Sequence, residues 1–471
     1  MKTTAQISVA SPGIEKYQNH RRESNKPAIR QRINGISSTH CSAVFSSKSA
    51  LRSETARPTE PVASRFIRSS RLKCEATSDA AVPAPAKEGI SESAAVANVI
   101  KGIMGAGCFA LPWAYAKTGI IFTTAYMIAA NILCLYCVSL MTRAKNIVLE
   151  KDPSLISTFD NYSGVAMATI GPVGGVLTQA MVVTCCFGIA SAYLVFVAST
   201  MLTVLPASME LTQNYLVKVI TVIMVFLSWL RNFSGVSLIS LMGNIAVCVG
   251  MLCVLVYASA LPPQLASIPM MNLDGFGQAF GSVAFLFFVH FTMPPVEASM
   301  AEPDKFFNAC VKAFGFSTLV SAIFGTVGAI YFGPGVSEVV IGMMSGAFVV
   351  SGVKLLLCFN LLCTFPLVCR GAFGVLENFM GSMAQSNVAV LAMRTTYVIL
   401  AATAAICIPS FGKLLGLVGG VSCTCLTMVF PPLMLLLAAR REGKSVSLLE
   451  TLLLAAIIIS GLGIAYYSVV A

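Results

Sequence analysis

From about residue 93 the chain alternates long apolar blocks with short polar connections. Eleven blocks stand at roughly 93–117, 119–142, 173–203, 214–230, 234–260, 275–301, 306–332, 345–369, 390–408, 412–438 and 449–470. Each is near the ~20 residues that cross a ~30 Å hydrocarbon core as a helix. Backbone amides in lipid need internal partners, so blocks of this kind must be helical. The pattern predicts an all-α, polytopic membrane protein of eleven transmembrane helices. The loops set its orientation. Arg143, Lys145, Lys151, Arg231, Lys305, Arg370, Arg440, Arg441 and Lys444 fall on alternate connections, whereas 203–213, 261–274 and 333–344 hold no Lys or Arg. By the positive-inside rule the N-terminus is inside, and the odd span count puts the C-terminus outside.

Composition agrees. Hydrophobic residues make up 56% of the chain and charged ones 11%, against about 25% charged in soluble domains. A soluble enzyme is excluded. The net charge of +11 is concentrated in residues 1–80, where 14 Lys/Arg face 6 Asp/Glu among 14 serines. Without a folded aromatic surface this is no nucleic-acid interface. Basic, Ser-rich and lacking an apolar h-region, residues 1–76 read as a plastid transit peptide, with cleavage near Cys74–Ala76; a disordered cytosolic tail is the alternative. Residues 77–92 then form a linker and 93–470 the transmembrane domain. The expected location is the chloroplast inner envelope, with another endomembrane or the plasma membrane as alternatives. All cysteines except Cys41 and Cys74 lie in or beside spans, where a thiol behaves as a small hydrophobe. Neither disulfides nor a metal site is expected.

Two spans carry breakers near mid-depth. In the first, Gly102, Gly105, Gly107 and Pro112 fall within eleven residues. Glycine lets the backbone leave helical geometry, and proline removes a helical donor. The freed groups near Met104–Cys108 need partners, which a polar ligand can supply. In the sixth, Pro294-Pro295 should interrupt the helix just after His290 and Thr292. Breaks five spans apart are what two five-helix repeats of inverted topology produce, about 93–260 and 275–438, with 449–470 as an extra helix. In such folds half-helix N-termini face an anionic group and freed carbonyls a cation. A zwitterionic amino acid suits that site. For either break alone, small-residue packing or a proline kink is the plainer reading.

The run Ile103-Met-Gly-Ala-Gly-Cys-Phe-Ala-Leu-Pro-Trp-Ala-Tyr-Ala-Lys-Thr-Gly119 resembles the first-helix motif of the amino acid/auxin permease family. His290–Ala309 resembles that family's sixth helix and following loop, and Ser157–Gly175, Thr364–Leu367 and Phe411–Pro432 are similar to further family segments. The resemblance covers about 93–440. It implies a LeuT-like fold with broken helices 1 and 6, and a plastid-targeted plant or algal member. It also implies secondary transport of amino acids by alternating access, coupled to H+ first and Na+ second, with no other cofactor. The backbone at Met104, Gly105, Ala106 and Gly107 would hold the substrate, with His290 and Thr292 lining the pocket.

Four residues are candidates for coupling or gating. His290 is the only histidine after residue 40, and its unperturbed pKa of about 6.5 suits a proton acceptor; a neutral pocket or core histidine is the alternative. Glu297 can form an ion pair at the inner mouth with Lys101 or another base. Lys354 can replace a coupling cation or snorkel to the surface, and Thr364 can offer a hydroxyl to a cation. The expected partners are an amino acid and the bilayer, with the protein a monomer. A channel is disfavoured because no repeated polar ring is present, and a membrane enzyme because no catalytic motif is. A transporter-like amino-acid sensor, and sodium-coupled or exchange transport of a related small zwitterion, stay open.

Overall fold

A computed structural model describes residues 89–230, 236–273, 276–346 and 348–470. The expected transit peptide, most of the linker and Arg231 lie outside them. The regular structure among the described residues is helical apart from one isolated bridge, Ile90 with Met300. In chain order the helices are α1 (Glu92–Ile103), α2 (Leu111–Thr118), α3 (Ile120–Lys151), α4 (Tyr162–Thr169), α5 (Pro172–Leu202), α6 (Gln213–Trp229), α7 (Val236–Ser259) and α8 (Phe276–Phe287). There follow α9 (Met293–Ser299), α10 (Phe306–Phe332), α11 (Phe348–Met380), α12 (Asn387–Cys407), α13 (Phe411–Leu417), α14 (Phe430–Arg441) and α15 (Leu448–Val470).

Eight described helical stretches are long and apolar enough to cross a membrane, and nine when the bent pair α1/α2 counts as one span. The shorter apolar helices at Gln213–Trp229 and Gly243–Ser259 stand where the fourth and fifth expected spans fall. Helix starts follow their capping residues. Ser91, Thr212 and Ser386 accept hydrogen bonds from the amides of Ala94, Tyr215 and Ala389, satisfying donors that a helix leaves open at its first turn. The second and eighth spans run past their expected ends, to Lys151 and Met380. There the inner ends carry charge that water solvates, so apolar length understates the helix.

The third, sixth and tenth spans bury 67%, 72% and 72% of their apolar windows, against 22% for α15. The core therefore lies around α5, α8/α9 and α13/α14, with α15 on the periphery. At one end of the bundle Arg143 pairs with Glu450 at 2.5 Å, Lys151 with Glu442 at 2.7 Å, and Lys444 with Glu150. Residues assigned to one side by loop charge thus gather at one end of the bundle.

Spans six and ten touch backbone to backbone. A methyl group added at Gly281 would lie 2.5 Å from the Gly416 carbonyl oxygen, which forces the helices apart. Overpacking of this kind costs about 1–3 kcal/mol. Gly281→Val is expected to lower the unfolding temperature in detergent and the yield of monodisperse protein. A wild-type melting curve for that variant contradicts the contact.

Between α13 and α14 the backbone winds as π-helix over Val418–Cys423 and Cys425–Val429. Side chains from elsewhere tie this segment down. Tyr162 donates to the Leu426 carbonyl at 2.5 Å, and the Cys185 and Cys423 sulfurs lie 3.5 Å apart. Wide turns of this type mark places where tertiary ties override α-helical register.

Candidate functional site

The two breaks are built alike. In span one, α1 ends at Ile103, and Met104 and Gly105 are extended. A 3-10 turn at Ala106–Ala110 follows, and α2 begins on Leu111-Pro112, bent 46° from α1. In span six, α8 ends at Phe287, the chain opens at Phe288–Val289, a 3-10 turn covers His290–Thr292, and α9 begins on Met293-Pro294. Each half-helix thus restarts on an apolar residue followed by proline, where a missing N–H costs nothing. The expected interruption at Pro294-Pro295 therefore lies about six residues upstream. The prolines start the second half-helix rather than break a continuous one.

The first break leaves backbone groups open. Among the described residues no helical turn closes across Met104–Gly105, so the amides of Gly105, Ala106 and Gly107 and the carbonyls of Gly102, Ile103 and Met104 have no helical partners there. Cys108 donates to the Gly105 carbonyl at 3.1 Å, closing the turn beyond them. Three donors and three acceptors thus stand within six residues, in a segment that is mostly buried. Unpaired buried backbone is costly, and a ligand with both an anionic and a cationic group can satisfy it.

The second break faces the first. A methyl at Gly107 would meet the Phe285 ring at 3.0 Å, and one at Gly102 would sit 3.7 Å from the Thr292 hydroxyl. The spans therefore cross with their openings opposed. Thr292 donates to its own Val289 carbonyl at 2.8 Å. Gly105 is different. A methyl built there meets nothing within 4 Å, and its φ of −129° suits any residue. The space before Gly105 is open, so its use is the absence of a side chain rather than backbone freedom.

His290 is fully buried. Its Nε2 lies 3.0 Å from the Cys134 carbonyl on α3, and its Nδ1 lies 2.8 Å from the Thr427 hydroxyl in the π-helical segment. A carbonyl only accepts, so Nε2 carries the proton and Nδ1 accepts from Thr427. The Cys134 thiol donates to the Phe287 carbonyl at the end of α8. His290 thus joins spans two, six and ten, behind the break rather than in its open space.

The other candidates separate. Glu297 pairs with Lys145 on α3, both side chains being largely buried. Nearby, Ile90 donates to the Ser299 carbonyl and accepts from Ala301, tying the start of span one to the end of span six. Lys354, near the start of α11, donates to Thr203 at 2.9 Å and to the Met344 carbonyl at 2.7 Å. Thr364 donates back to the Asn360 carbonyl of its own helix. Sequence reasoning missed Thr427, Cys134 and Lys145. Thr427 is a polar residue in an apolar span, which is a signal, but its direction depends on the π-helical winding.

Removing one partner of a buried ion pair costs about 3–5 kcal/mol, chiefly because the other charge stays buried alone. Glu297→Gln is expected to lower the unfolding temperature markedly. The double substitution Glu297→Met with Lys145→Met should recover much of the loss. Equal destabilisation of the single and double variants contradicts the pairing.

The family model for the transmembrane amino acid transporter protein matches residues 88–471. The chain is 25% identical over 370 residues to the amino acid transporter AVT3C of Arabidopsis thaliana, covering 74% of this chain and 83% of that one. It is 22% identical over 374 residues to the proton-coupled amino acid transporter-like protein pathetic of Drosophila melanogaster, covering 75% and 78%. Among solved structures, MhsT in complex with L-phenylalanine superposes with a TM-score of 0.50 at 12% identity, covering 82% of this chain and 99% of that one. That likeness is one of fold, the LeuT-like arrangement with interrupted first and sixth spans.

Proposed function

The chain belongs to the transmembrane amino acid transporter family, and from that premise we propose that it carries neutral or aromatic amino acids by alternating access, in symport with protons. The observation that carries this reading is the pair of opposed breaks. The amides of Gly105, Ala106 and Gly107 take the substrate carboxylate, and the carbonyls of Gly102, Ile103 and Met104 take its ammonium. Open space before Gly105 admits the Cα and side chain. Thr292 approaches the same break from span six, beside Gly102.

His290 is the proposed proton acceptor. A threonine hydroxyl can donate or accept, so protonation at Nδ1 needs only that the Thr427 hydroxyl turn over. The proton therefore reverses a hydrogen bond between spans six and ten without breaking it. Glu297, paired with Lys145, and the Ile90–Met300 bridge hold the inner mouth closed. The inner gate opens when these separate. That pathetic is named as proton-coupled, and that MhsT was solved with L-phenylalanine, supports the proton and aromatic parts of the reading. Sodium in place of the proton, with Thr364 and Lys354 as the groups nearest to that role, is the second choice. The protein works as a monomer, directed to the chloroplast inner envelope by residues 1–76.

The test is uptake by the full chain in proteoliposomes, using labelled L-amino acids with and without an imposed pH gradient. Saturable uptake accelerated by inward proton flow is the expected result. Binding without net flux points to a sensor, and no dependence on the gradient removes the proton.

A further inference from the structure

A second polar cavity lies at the outer end of the bundle, away from the breaks. It has a volume of about 410 Å³ and is walled by α5, the start of α13 and the loop before α11. Phe411 is one of its lining residues. Rings of Phe411 and Phe196 lie 5.4 Å apart, and those of Phe196 and Phe109 lie 6.0 Å apart. Phe109 belongs to the 3-10 turn of the first break, so a chain of three buried rings separates this cavity from the central site.

Two opposite charges, one lining the cavity and one buried behind its wall, do not neutralise each other. Glu338 lines it and accepts from the Ser410 hydroxyl at 2.8 Å and the Gly412 amide at 3.0 Å. Lys354 stands one hydrogen bond behind the wall, donating to Thr203, which lines the cavity. Its third contact, to the carbonyl of the lining residue Gly342, is 3.5 Å long, too long for a full hydrogen bond. The weakest of the three ammonium contacts is thus the one to a lining residue. Among the described residues neither charge forms an ion pair. Thr200 also lines the cavity, and its buried hydroxyl has no hydrogen-bond partner among the described residues.

Paired opposite charges in a part-buried site would ordinarily find each other. Charges held apart by neutral dipoles are complementary to a ligand carrying both signs. We propose that this cavity is an outer subsite for an α-amino acid zwitterion, its ammonium on Glu338 and its carboxylate towards Lys354. The subsite holds the amino acid until the Phe411–Phe196–Phe109 rings part and pass it to the first break. This rests on the amino-acid transport reading above.

Equilibrium dialysis of the full chain against the twenty labelled L-amino acids, at saturating concentration, counts the bound molecules. The wild-type protein is expected to bind two molecules of the amino acid it transports. Glu338→Gln, which keeps acceptors for Ser410 and Gly412, should bind one. Gly105→Leu should also bind one, at the outer subsite. On unaltered protein, the N-acetyl derivative of the same amino acid lacks the ammonium and should fail to displace the outer molecule. Binding of a single molecule by the wild type overturns the outer subsite and leaves the transport reading intact. Displacement of the outer molecule alone by the N-acetyl derivative overturns the outer subsite too, and displacement of both also contradicts the ammonium contact at the first break. Binding of none of the twenty overturns both.

Discussion

Gly105→Leu is expected to abolish amino-acid uptake while leaving the protein inserted and folded. The backbone at 105 is extended with a negative φ of −129°, outside the positive-φ region that favours glycine. Nothing lies within 4 Å of the added Cβ, so the side chain enters the site without a clash at its first carbon. The side chain instead takes the space in which the substrate Cα and carboxylate should sit. Losing two charge-assisted hydrogen bonds at about 1.5 kcal/mol each lowers affinity about a hundredfold. Gly105→Ala, which fills less of that space, is expected to cost about tenfold. Normal uptake by Gly105→Leu removes the first break from the substrate site. Gly107→Ala offers a contrast. There the added carbon presses on Phe285 at 3.0 Å, so its effect should include lower thermal stability.

His290→Gln should separate binding from coupling. Glutamine can donate to the Cys134 carbonyl and accept from Thr427 as the neutral imidazole does, but it takes no proton near neutral pH. A one-unit pH gradient is worth about 1.4 kcal/mol, or about tenfold accumulation for one proton per substrate. In proteoliposomes His290→Gln is expected to exchange labelled for unlabelled amino acid while its gradient-driven accumulation falls to about unity. Accumulation equal to that of the wild type shows that the proton binds elsewhere. Loss of exchange together with accumulation shows that His290 serves packing alone.

The architecture was legible because its cause is local. Runs of apolar residues fix helices wherever water is excluded, and the clustering of Gly105, Gly107 and Pro112 in one span marks where a break falls. What the sequence did not carry were relations set by helix rotation. Pro294 announces a disruption but not its side, and the structure places the opening upstream at Phe288–Val289. His290 was readable as a buried ionisable group, yet its partners on α3 and in the π-helical segment follow from how three spans turn about their axes. The ion pair of Glu297 with Lys145 joins residues 152 positions apart. Lys354 is legible as a charge near a helix end, while its place behind the wall of an outer cavity depends on how the loop before α11 folds back over α5. Thr427 is hidden for a related reason. Its direction is set by π-helical turns that tertiary ties impose, and no residue pattern in Val418–Val429 demands them.

The most direct test of the account is an experimental structure of the full chain with its transported amino acid bound. The carboxylate is expected within 3.2 Å or so of the amides of Gly105–Gly107, the usual hydrogen-bond range, with the ammonium turned towards the carbonyls of Gly102–Met104. An amino acid bound centrally with its carboxylate on side chains alone, and both spans wound continuously past it, contradicts the account.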